Sequence, residues 1–104
     1  MKRTRIVLAD DHTLLSETIK NLLEPEFEVV GTFADGQALL NAAPALMPDV
    51  VVLDIGMPVM NGLNAGRRLK RLLPRVKLIY LTISQDRDLA AEIGAPTVTH
   101  RGSM

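Results

Sequence analysis

The feature that most constrains this chain is a hydrophobic run ending in an acid, Asp49-Val50-Val51-Val52-Leu53-Asp54, followed by Ile55-Gly56-Met57-Pro58 and Asn61-Gly62. A β-branched run between turn signals, with no polar alternation, reads as a strand buried on both faces, the pattern of a parallel sheet interior. Asp54 then emerges at the C-terminal end of that strand, the edge where open α/β sheets bind ligands. Ile6-Val7-Leu8-Ala9 repeats the device and delivers two adjacent carboxylates, Asp10 and Asp11. If the two strands lie parallel and side by side, three carboxylates meet at one sheet edge and make a cation site.

Apolar runs alternate with helical periods along the rest of the chain. Leu15, Ile19, Leu22 and Leu23 recur at helical spacing and stop at Pro25. Residues 27–33 read as a strand, and Asp35 is placed to cap a second helix that Pro44 is expected to kink or end. After the Asp54 strand, Gly62 leads into a helix whose inward stripe is Ala65, Leu69, Leu72 and Leu73, closed by Pro74. Val76–Leu81 is the fourth strand, and residues 86–93 have helical composition. Strict alternation with short connections predicts a doubly wound α/β domain with a mostly parallel sheet and helices on both faces.

Composition narrows the function classes. A chain of 104 residues with 47% hydrophobic content has room for one core. Twelve basic and twelve acidic side chains cancel, which removes the electrostatic case for nucleic acid or membrane as the partner of this segment. There is no cysteine, so disulfides and thiolate metal sites are excluded. The basic start, Met1 to Arg5, runs into only four apolar residues, too few for a signal core or a membrane span, and a cytoplasmic location is expected. Neither G-x-G-x-x-G nor G-x-x-x-x-G-K-[ST] is present. Where a nucleotide binder would offer backbone amides, this chain offers Asp10-Asp11-His12. Two anions there repel phosphate unless a cation intervenes.

Paired acids after strand one, an acid after strand three in D-I-x-M-P-x-x-N-G, and Thr82 after strand four in Leu78-Ile79-Tyr80-Leu81-Thr82 occur in order and at strand ends. With these motifs the chain resembles the receiver domain of a bacterial two-component response regulator over residues 5 to about 95. The wording around Asp10 and Thr82 resembles receivers that precede a helix-turn-helix DNA-binding output domain. The resemblance implies a flavodoxin-like sheet of order 2-1-3-4-5. It implies Asp54 as the phosphoacceptor for a sensor histidine kinase. It further implies Mg²⁺ on Asp11, Asp54 and the carbonyl of Gly56, with Asp10 behind them or reaching through water, and Thr82 as the hydroxyl that bonds the new phosphoryl group. Hard oxygen ligands suit that ion.

Each feature also has a plainer reading. Asp10-Asp11 alone could be acids favouring a helix dipole, and Thr82 alone is a good strand residue. A turn-capping Asp54 leaves Met57-Pro58 and Asn61-Gly62 without a reason. His12 reads as a partly exposed loop residue outside the site, Met47, Met57 and Met60 as packing, and Arg67-Arg68-Lys70-Arg71 as a solvated helix face. A haloacid dehalogenase-type phosphatase would need a second Asp where Gly56 stands.

The end departs from the family. Receivers continue through a Lys-bearing fifth strand and a fifth helix, whereas this chain reads Ile93-Gly94-Ala95-Pro96-Thr97-Val98-Thr99-His100-Arg101-Gly102-Ser103-Met104. One alignment makes 94–104 a degenerate fifth strand, with Val98 at the aromatic position and Arg101 at the Lys position. The other, preferred here, ends an incomplete receiver at residue 93 and reads 94–104 as a non-native tail. Both leave helix five missing, and phosphorylation is then expected to be weak or short-lived. The competing function is a truncated or pseudo-receiver acting as an interaction module without phosphotransfer. On the preferred alignment Lys77–Leu81 is an exposed edge, which predicts a homodimer or higher oligomer.

Overall fold

The computed structural model describes residues 2–82 and 97–99. Among these residues, five strands and three helices follow in chain order: β1 Arg5–Ala9, α1 Thr13–Leu23, β2 Glu28–Phe33, α2 Gly36–Leu46, β3 Val50–Asp54, α3 Gly62–Leu72, β4 Lys77–Thr82 and β5 Thr97–Thr99. The strands form one parallel sheet in the order β2-β1-β3-β4-β5. This is the doubly wound, flavodoxin-like arrangement expected. Its consequence is positional: β1 and β3 are direct neighbours, so both acid-tipped runs leave the sheet at the same edge.

The period-two rule sorts the two faces. Val7, Ala9, Val51, Leu53 and Tyr80 enter one buried cluster with Leu39, Leu40 and Ala43 of α2 and Ala65 and Leu69 of α3. Ile6 and Leu8 are also buried but point the other way, beneath α1, which packs on β1 and β2. Burying Val7, Leu8, Leu39, Leu53 and Leu69 almost completely stabilises the fold by roughly 1.5–3 kcal/mol per side chain before conformational entropy is charged against it.

Four expectations are corrected. Pro44 neither ends nor visibly interrupts α2, which runs to Leu46. The proline sits in the last turn with its ring exposed, where only one ladder hydrogen bond is forfeited. The helix closes three residues later, when Met47 enters the left-handed region at φ 49° and its N–H bonds Ala43 O. Leu22 and Leu72, expected on inward stripes, are exposed. In α1 the helix is rotated so that Ser16 is buried instead. In α3 it is Gly66 that faces the sheet, because the Tyr80 hydroxyl occupies the place a Cβ would take.

The fourth correction concerns the edge at β4. Tyr80, Leu81 and Thr82 pair in parallel with Thr97, Val98 and Thr99, so the C-terminal half of β4 is an interior strand and not the open template for oligomer formation. The helix expected over 86–93 and the position of Arg101 lie outside the described residues.

Candidate functional site

Register builds the site. Ala9 lies opposite Leu53 in the β1–β3 pair, so the next residues, Asp10 and Asp54, leave the sheet side by side. The two neighbours of β1 and β3 hold these exits in place: Asp10 N–H donates to Phe33 O of β2, and Ile55 N–H donates to Leu81 O of β4. Asp10 is 6% exposed and Asp54 3%, while Asp11, one residue further out, is exposed. Ligand atoms of Asp10, Asp11, His12 and Asp54 all lie within 4.8 Å of one another. The three acids predicted from strand ends are therefore brought together.

The loop after β3 explains the remaining motif residues. Met57 and Ile55 are buried as its anchors. Gly56 N–H donates to Asp54 Oδ1 at 3.0 Å, which fixes that oxygen and leaves Oδ2 to face the cluster. Pro58 O accepts from Met60 N–H at 2.7 Å, a γ-turn whose central residue, Val59, is held at φ 68°. A β-branched residue there stores on the order of 1–3 kcal/mol of strain. Asn61 Oδ1 accepts from Asn64 N–H at 2.9 Å and caps α3. Gly62 donates its N–H to Ile55 O at 3.0 Å, and a Cβ on it would collide with the carbonyl of Asp54. Only glycine lets α3 begin so close beneath the acid.

Electrostatically the cluster is unfinished. Asp10 Oδ2 and Asp54 Oδ2 are buried and lack a hydrogen-bond partner, a state that costs more than almost any other a polar group can take in a fold. Burial pushes the Asp54 carboxyl up to about 6, against the Gly56 N–H that favours its ionised form, and the Asp10 charge adds to the rise. His12 partly answers the charge. Its Nδ1 stands 2.7 Å from Asp10 Oδ1, 3.2 Å from Asp11 Oδ1 and 3.7 Å from Asp54 Oδ2, and the Asp10 hydrogen bond raises its pKa. Sequence reasoning left His12 out of the site. Its signal was present, since a residue two positions after a strand-end acid can return both its backbone N–H and its ring to that acid, as His12 does to Asp10 Oδ1.

Thr82 ends β4, one residue beyond the Leu81 that pairs with Asp54, so its backbone reaches the same sheet edge. Its side chain lies outside the described residues. Arg67, Arg68 and Arg71 line a shallow groove with Val59, away from the acids, in keeping with a solvated face.

A model of the response regulator receiver domain matches residues 6–97. The chain belongs to the receiver family. Among curated relatives, the transcriptional regulatory protein DegU of Brevibacillus brevis is 39% identical over 93 residues, covering 88% of this chain and 39% of DegU. A protein-glutamate methylesterase/protein-glutamine glutaminase of Clostridium acetobutylicum is also 39% identical, over 88 residues, covering 82% of this chain and 26% of that protein. Among solved structures, RcsB from Salmonella enterica serovar Typhimurium, bound to the promoter rprA in the presence of the phosphomimetic BeF3-, superposes with a TM-score of 0.87 at 27% identity, covering 99% of this chain and 63% of RcsB. The chain thus spans about two-fifths of DegU and a quarter of the methylesterase. The matched relatives thus include a transcriptional regulatory protein and a methylesterase, and among the described residues of this chain no helix is long and apolar enough to cross a membrane.

Proposed function

We infer that this receiver is a phosphoacceptor in two-component signalling. Asp54 takes a phosphoryl group from the phosphohistidine of a sensor histidine kinase in the cytoplasm, and the modified domain controls a DNA-binding output. The observation that carries this reading is the pair of buried, adjacent carboxylates, Asp10 and Asp54, each keeping one oxygen unpartnered. A structural role would have paired them.

The donor set fits Mg²⁺. It consists of hard oxygens, two of them orphaned, and the carbonyl of the half-turn after Asp54 adds a neutral one. Asp11, Asp54 and the Gly56 carbonyl would hold the ion, with Asp10 behind or reaching through water. When bound, the ion supplies the positive charge that lets an anionic carboxylate and an anionic phosphoryl group approach.

The chain's own residues do the rest. With its pKa at about 6, Asp54 is ionised at neutral pH and able to act as a nucleophile. The Gly56 N–H holds Oδ1, so Oδ2 is the oxygen that bonds to phosphorus. As that P–O bond forms, the P–N bond of the phosphohistidine breaks, and the imidazole leaves with the electron pair. Thr82, at the neighbouring strand exit, donates its hydroxyl to the transferred group and couples it to the segment that follows. In this way the domain assists its own phosphorylation and dephosphorylation.

Incubation with acetyl phosphate and Mg²⁺ should add one phosphoryl group by intact mass, and Asp54→Asn should abolish the addition. Titration with Mg²⁺ should shift the amides of Asp10, Asp11 and Asp54. Labelling that persists in Asp54→Asn would overturn the assignment.

A further inference from the structure

The opposite edge of the sheet carries a surface that phosphotransfer does not use. Two adjoining grooves, of about 630 and 700 Å³, meet at Thr4, Met47 and Asp49, beneath the N-terminal ends of β1, β3 and β4. The floor of the first groove is apolar. Met47 is 71% exposed and Leu72 52%, large hydrophobic side chains left in solvent, and Pro48, Leu73 and Pro74 fill in between them. The rim is basic, with Lys2, Arg3, Arg5, Arg75 and Lys77 set against only Asp49 and Glu28. Among the described residues, Lys2, Arg3, Arg75 and Lys77 form no ion pair.

Met47 adds an independent observation. It ends α2 at φ 49°, a position where glycine would cost nothing, and a side chain there costs about 1 kcal/mol or more. The strain places an unbranched, adaptable side chain in solvent at the junction of the two grooves, the kind of residue that suits a binding surface.

We propose that this edge docks an acidic amphipathic segment of a partner protein, its apolar face on Met47 and Leu72 and its carboxylates on Arg75, Lys77 and the Lys2-Arg3 pair. A nucleic acid would use the rim but leave the apolar floor unsatisfied. The complementarity favours a polypeptide that carries both features. The proposal is independent of the phosphoacceptor reading, because none of its residues touches the acidic cluster.

The probe is a synthetic helix with leucines on one face and glutamates on the other, titrated into the full chain with methyl and amide NMR detection. The Met47 and Leu72 methyls should shift together, and raising salt should weaken binding. Leu72→Asp should lower affinity at least about tenfold. Met47→Gly should also weaken binding while raising thermal stability, since it removes the positive-φ penalty, and that separates docking from folding. A peptide with lysines in place of the glutamates should not bind. The proposal is overturned if the shifts map elsewhere, if either variant titrates like the parent, if the lysine peptide binds equally, if anionic phospholipid vesicles move these methyls and the peptide does not, or if they move on concentrating the chain alone.

Discussion

Arg5 and Asp54 stand at opposite edges of the same sheet, and their surroundings differ in kind. The Arg5 guanidinium donates twice to Leu46 O, at 2.8 and 3.0 Å, and reaches Glu28 at 3.4 Å, while its backbone N–H bonds Asp49 Oδ2 at 2.8 Å. The carboxylate of Asp54 has one donor, Gly56 N–H, and a buried oxygen with none. One charge is placed where the backbone needs it, as a cap on the last carbonyl of α2, that of Leu46. The other is placed where the fold would be better without it. An uncompensated buried charge persists only when something other than stability selects it. This difference, more than the number of acids, marks the C-terminal edge as the site.

The sharpest way to break the comparison is to remove the charge. Asp54 has a folded pKa of about 6 against an ordinary value of 3.8, so between those values the folded state holds a proton that the unfolded chain has lost. Stability therefore falls as pH rises through that window, and the full penalty is present at pH 7. At roughly 1.4 kcal/mol per pH unit it is about 1–3 kcal/mol. Asp54→Asn should stabilise the fold by that amount at pH 7 in EDTA, with the gain vanishing below about pH 4, as read by urea unfolding across pH. His12 works in the same direction, since its raised pKa adds stability that is present below 6.5 and lost as pH rises through the raised value. A neutral or destabilising Asp54→Asn would show that the carboxylate is compensated after all.

The opposite sign is expected at the other edge. Arg5→Met keeps much of the side-chain volume but strips both bonds from Leu46 O and the contact with Glu28. The ion pair contributes little, because both partners are more than a third exposed. The charged donors to the carbonyl contribute more, and the loss should be about 1.5–2.5 kcal/mol with no pH dependence between 5 and 8. Urea midpoints of the two variants moving in opposite directions at pH 7 is the signature of the contrast.

How far the two edges were legible in sequence follows from the same physics. Asp10, Asp11 and Asp54 could be placed because a parallel strand without alternation has a single exit, and the turn residues around Met57 and Gly62 mark where it is. Helix faces were less legible. Leu22 and Leu72 fit an apolar stripe, yet each helix turned to bury a small residue, Ser16 or Gly66, because close approach to the sheet outweighed one leucine. Pro44 does not break α2 because the cost of a proline depends on how many turns follow it, and here fewer than one does. The pairing of Thr97–Thr99 with β4 was only partly legible: three successive β-branched residues are strand-like by composition, but a run of three is too short to fix its partner. The compensation of Arg5 could not be read at all, since its partners lie 23 to 44 residues away.

The smallest test asks whether compensation at the N-terminal edge extends beyond Arg5. Lys70, on the exposed side of α3, sends its ammonium to Pro74 O at 3.0 Å and Val76 O at 2.7 Å, spanning the turn between α3 and β4. It thus answers carbonyls near the helix C-terminus, where a cation is also favoured by the dipole. The bond to Pro74 O is exposed and that to Val76 O only part-buried, so water and salt screen the contact and Lys70→Met should cost only about 0.5–1 kcal/mol, less at high ionic strength. Arg5 and Lys70 bond different carbonyls and share no partner, so the double variant with Arg5→Met should lose the sum of the two effects. A larger combined loss would mean that the basic edge is one coupled network. In that case the contrast with Asp54 would lie between two networks, one satisfied and one left open.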